Sequence, residues 1–199
     1  MLKSLGIAIS MAALVVSTTV MSTAAVAQVP SGWQLDTGAL AASGSDLLLR
    51  APDAQIDGLF QAVHSAAQDP NDARALCTLF APDADRSLQG LNDVAARLGP
   101  TSRSRFATAL ADVFVASMQS SPQPLDRAAA QQSLKAAAVT AALLHDGFVA
   151  GLQAEAGEDA RCQSLRWLLD AVQSRPQTER AAMTRLLLDQ GLAQVASTH

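Results

Sequence analysis

The sequence predicts an all-α protein: a single-domain bundle of six to seven helices around a central apolar helix, stapled by one disulfide. Three observations carry this. Alanine and leucine dominate, aromatics make up 4% and tyrosine is absent. That composition suits helices and does not suit a β-sandwich, whose strands favour β-branched and aromatic residues. Apolar residues recur at three- and four-residue spacing between Pro and Gly stops, the pattern of amphipathic helices. The chain also has only two cysteines, Cys77 and Cys162. In an exported chain such a count reads as one structural disulfide, because a redox pair usually sits close in sequence, as in C-x-x-C.

Export is itself an expectation from the N-terminus. Lys3 is a short positive segment, residues 5–16 are an apolar run, and Ala25-Val26-Ala27 is an A-x-A cleavage site. Residues 1–27 are therefore expected to be a cleaved signal peptide. The alternative, an uncleaved anchor, is weakened by Ser17, Thr18, Thr19, Ser22 and Thr23. The expected location is the periplasm or the exterior, with no membrane span after cleavage. Taking 27 residues from 199 leaves 172, enough for one domain with a real core. Removing Lys3 takes the 14 basic residues to 13 against 18 acids, a net charge of −5. Such a chain is poorly suited to bind nucleic acid or an anionic membrane.

The elements follow in order. Residues 28–50 show no clear period and contain Pro30, Gly32, Gly38 and Gly44, so an irregular N-terminal arm is expected, with Trp33 and Leu47-Leu48-Leu49 either tucked onto the bundle or docked on a partner. The bundle domain is expected to fill residues 51–199. Its first helix starts at Asp53 with Ile56, Leu59, Phe60, Val63 and Ala67 as its stripe; His64 aligns with Asp57, Gln61 and Gln68 and is expected to face solvent. Asp69-Pro70 restarts the chain as a short helix carrying Cys77. A third helix, near residues 85–98, ends at Gly99-Pro100. A fourth carries Phe106, Leu110, Val113, Phe114 and Met118 on one stripe. The fifth, to residue 152, is apolar nearly all round over residues 134–152 and is expected at the centre of the bundle. The sixth carries Cys162, Leu165, Leu169 and Val172, and the last opens at Pro176.

Chemistry is sparse. The three histidines, His64, His145 and His199, share no helix face and no H-E-x-x-H occurs, so neither a metal nor a cofactor is expected. There is no G-x-S-x-G, S-x-x-K, phosphate-binding loop or dinucleotide fingerprint. No catalytic residue is expected. His145, in the apolar helix, is the one candidate general base or pH switch, against the simpler reading of a half-buried histidine with a partner.

The reading is a non-catalytic periplasmic protein that binds another protein, most concretely an inhibitor or immunity protein against a toxin or envelope hydrolase. Trp33, Arg97, Arg103 and Arg105 are its candidate anchors, since interfaces favour aromatic and Arg residues. An alternative is a carrier of an apolar small molecule in a pocket at Leu144, His145 and Phe148. Another is an envelope assembly chaperone, which would need an exposed apolar groove.

Overall fold

The computed structural model describes residues 37–197, and these form an all-α structure: 80% of the described residues are helical, with no strand among them. The helices are α1 (Thr37–Arg50), α2 (Asp53–Gln68), α3 (Pro70–Cys77), α4 (Leu88–Arg97), α5 (Pro100–Gln119), α6 (Arg127–Leu144), α7 (Phe148–Gly151), α8 (Glu158–Gln173) and α9 (Gln177–Ser197). A 3-10 turn, Thr78–Phe80, follows α3. The bundle and its staple agree with the sequence reading. Cys77 at the end of α3 and Cys162 in α8 are bonded, with Cα atoms 5.4 Å apart across 85 residues of chain.

The start of several helices is legible in local chemistry. Asp69 accepts hydrogen bonds from the backbone N–H groups of Asn71 and Asp72, with Pro70 at the first helical position of α3. Ser87 caps α4 and Asp126 caps α6 in the same way.

Two features depart from the sequence reading. The arm expected to be irregular over residues 28–50 is helical over Thr37–Arg50; residues 28–36, with Trp33, lie outside the described part. A helix end normally leaves four carbonyls without partners. Three of those of α1, and that of Ala51 just beyond it, are met from far along the chain. The Ser117 hydroxyl donates to the Leu47 carbonyl, Arg185 donates to those of Leu48 and Ala51, and the Gln123 N–H donates to that of Leu49. Arg185 is buried and also pairs with Asp53 at 2.6 Å. No local pattern announces caps that arrive from positions 117, 123 and 185. Gly44 adds a second reason: a Cβ there would stand 3.0 Å from Leu192 Cδ1, so its absence lets α1 lie close on α9.

The second departure is the centre. α2 holds it, packed by α9, α5, α3 and α8, with Ile56, Ala62 and Ala66 fully buried. The apolar helix at 134–152 is peripheral and broken. α6 ends at Leu144, His145 leaves the helical conformation, and Gly147 turns the chain with φ +89°, a left-handed conformation that favours glycine. Ala137 and Ala141 face inward and are fully buried, while Leu143 is 81% exposed. Small residues on one face let α6 pack closely on α8 and α9, and the larger aliphatics are left outside.

Candidate functional site

α1 and α2 run on from one another through Ala51-Pro52, and α9 lies antiparallel to both. Ser45 pairs with Asp189, Asp53 with Arg185, and Asp57 with Arg180. α5 lies on another side of the same axis, with Ser117 at Leu47 and Ala109 beside Gln55 and Gly58. This leaves two very different seams.

One seam is polar and closed. Of the row Asp57, Gln61, His64 and Gln68 on α2, expected to face solvent, Gln68 is exposed, but Asp57 is buried and Gln61 and His64 are half-buried. The row meets α8 and α9 partner by partner. Arg180 clasps Asp57 through two bonds of 2.7 and 2.8 Å, Gln61 bonds Gln173 at 3.0 Å, and His64 and Gln68 both reach Asp170. The hydrogen bonds from Arg180 to Asp57 favour its charged form and raise its pKa above the usual arginine value, against the opposing effect of burial. Asp57 at one end of the row is buried and Gln61 and His64 are half-buried because each finds a partner, while Gln68 at the other end stays exposed.

The other seam is apolar and open. α5 and α9 flank α1 while barely touching each other. Between them runs a groove of about 540 Å³, floored by Gly44, Leu47, Leu48 and Leu59 and walled by Leu110, Val113 and Phe114 on one side and Leu188 and Leu192 on the other. Among the described residues, no charged or polar side chain lines it. Its α5 rim continues outward as apolar surface: Leu110 is 57% exposed, Phe114 55% and Met118 70%. Soluble proteins rarely leave so continuous an apolar surface without a use for it. In sequence, Leu110, Phe114 and Met118 share one stripe with Phe106 and Val113. The signal for their exposure was the width of the apolar arc on α5, which also takes in Ala107, Ala111 and Val115. One neighbouring helix cannot cover an arc that wide.

The residues singled out from sequence scatter. Trp33 lies outside the described residues. Arg97 donates to the Thr78 hydroxyl at 2.9 Å. Arg97 and Arg105 border one polar hollow at the start of α5, together with Asp69 and Asp72. Asp72 there is buried and already accepts the Gly99 N–H at 2.7 Å. Arg103 points elsewhere, in line with Ala107, Leu110 and Phe114 by helical spacing. Leu144, His145 and Phe148 do not face a common space: Leu144 is 70% exposed and Phe148 is 3% exposed, within the core. His145 stacks on Trp167 with ring centroids 4.6 Å apart and nearly parallel planes. Phe148 takes its place beside Ala137, Ala141 and Met183.

Among the described residues no three His, Cys, Asp or Glu side chains converge as a metal site would require, and no helix is long and apolar enough to cross a membrane. No protein-family model matches the chain, nor does any curated protein or solved structure. What the molecule does must be argued from its own residues.

Proposed function

We propose that the chain is an exported, non-catalytic protein that binds another protein by taking an apolar helical segment of it into the α1–α5–α9 groove. The uncharged groove carries this reading. A slot walled by two helices, with aliphatic and aromatic residues at helical spacing along its walls, suits a third helix presenting apolar residues at i, i+3, i+4 and i+7. The leader-like residues 1–27 and the disulfide support an oxidising compartment, the periplasm or the exterior. Two versions fit. In one the helix belongs to an envelope client that is escorted; in the other it belongs to a toxin or hydrolase that is neutralised. The groove favours the escort version, because it offers apolar surface rather than the polar and Arg-rich contacts of an occluding inhibitor.

A second reading is supported by the groove's size. A volume of about 540 Å³ falls within the range of small-molecule pockets. A carrier of apolar molecules would use the same walls, though it lacks the few polar groups that normally orient a ligand.

The test places a photo-cross-linking amino acid at Phe114 and, as a control, at Thr108 on the other side of α5, in exporting cells. Cross-links to a second protein from position 114 alone, mapping to a helical segment and abolished by Leu188→Asp, are expected. Equal cross-linking from both positions overturns the proposal. A low-mass apolar adduct at 114 replaces it with the carrier reading.

A further inference from the structure

We infer that, without a partner, the groove is closed by α5 of a second copy of this chain, in an antiparallel pair about a two-fold axis. The inference rests on the groove being a surface that receives helices, and it names the helix that occupies it at rest.

The exposed face of α5 is written as a palindrome. Ala107, Ala111, Phe114 and Met118 share that face, spaced by four, three and four residues. In an antiparallel pair whose axis passes between positions 112 and 113, residue numbers facing each other sum to 225. Ala107 then meets Met118 of the other copy, and Ala111 meets Phe114. Each large side chain falls opposite an alanine, on both sides of the axis, so the two faces interlock without competing for volume. Leu110 and Val115, on the two edges of the face, are both more than half exposed.

Charge agrees with this pairing. The only charge in line with the face is Arg103, and the antiparallel arrangement carries it to the C-terminal end of the other copy's α5. The last turn of that helix holds no basic residue of its own. A cation there meets the negative end of the helix dipole, once for each copy. Asp112, the acid nearest the middle of α5, lines the hollow between α2 and α5 instead. Two acidic chains can therefore meet here without opposing like charges.

A helix of 20 residues is about 30 Å long, so the antiparallel contact can run along the whole exposed face of α5.

Sedimentation equilibrium of the mature protein over a wide concentration range is expected to show a monomer–dimer equilibrium. Phe114→Asp is expected to raise its dissociation constant about thirtyfold or more, as for an interface hot spot, with an unchanged far-UV circular dichroism spectrum because the residue is exposed. Register is read separately by mixing Ala111→Cys chains with Phe114→Cys chains. The mixture is expected to form the mixed disulfide faster than either chain pairs with itself. A monomer at every concentration overturns the inference, as does equal self-pairing of the Ala111→Cys chain. Either result obtained with partner cross-linking at position 114 intact would overturn this inference alone. Loss of that cross-linking while the dimer persists would overturn the proposed function alone.

Discussion

The long axis formed by α1 and α2 has two flanks that obey opposite rules. Toward α8 and the first half of α9, polar side chains are buried or half-buried, each in a specific bond: Asp57 with Arg180, Gln61 with Gln173, and His64 with Asp170. Toward α5 and the second half of α9, apolar side chains such as Leu110, Phe114 and Met118 are left exposed among the described residues. By simple patterning the first row belongs outside and the second inside. Pairing reverses the first expectation, since a buried polar group is tolerated once it is bonded. Geometry reverses the second, since α5 and α9 flank α1 with little contact between them and leave a groove. The closed flank ties α2 to α8 and α9, and the open flank leaves apolar surface exposed.

The contrast predicts that perturbing the closed flank costs stability and that perturbing the open flank costs only binding. The largest effect is expected from the disulfide, which ties α3 to α8 on the closed side. Closing an 85-residue separation gives about 4.6 kcal/mol in the chain-entropy treatment. Urea titrations with and without reductant should show a shift of that order; coincident curves would remove the staple from the argument. Next comes Asp57→Ala, which strands a nearly buried Arg180 without its carboxylate and should cost about 3–5 kcal/mol. A loss below about 1 kcal/mol would show the seam to be wetter than its geometry implies. Gln61→Ala removes one part-buried hydrogen bond and should cost about 1 kcal/mol in the same titration. Met118→Ser on the open flank should change stability by no more than about 0.5 kcal/mol while weakening self-association. A large loss of stability there would mean the face is core after all.

The smallest effect concerns acid. The hydroxyl and N–H of Ser87 hold the Asp85 carboxyl below the usual aspartate range. A depressed carboxylate contributes stability that is complete at neutral pH and is lost as pH falls through its lowered folded value. Because Asp85 is fully exposed, the effect should be confined to the first turn of α4. It would be followed as a low-pH shift of the Ser87 amide resonance; a titration at or above the usual aspartate value would contradict the bond.

The class of fold and its staple were legible because they depend on local and compositional signals. Proline and glycine stops, Asp69 and Ser87 as caps, and a lone pair of cysteines each act within a few residues or by count. α1 was not legible. Its helix survives because Ser117, Gln123 and Arg185 supply partners to its C-terminal carbonyls, and such partners have no signature at positions 37–50. The centre of the bundle was misread for a related reason. Apolarity around residues 134–152 showed how much could be buried, while the small size of Ala137 and Ala141 decided what was buried. Of the candidate site, only the individual side chains were visible. Leu110, Phe114 and Met118 stood out as apolar, but nothing local tells a core stripe from a groove wall.

By itself, then, the sequence determined that this chain is helical, where most of its helices begin, and which two cysteines join. These follow from hydrogen bonding, capping and chain stiffness over short distances. Only the tertiary structure decided which helix lies at the centre, which polar row is sealed inside and which apolar face stays open. Those outcomes depend on how far apart α5 and α9 stand around α1, a distance set by Gly44 against Leu192 and by Arg185 beneath the α1–α2 joint, and so by residues more than a hundred positions apart.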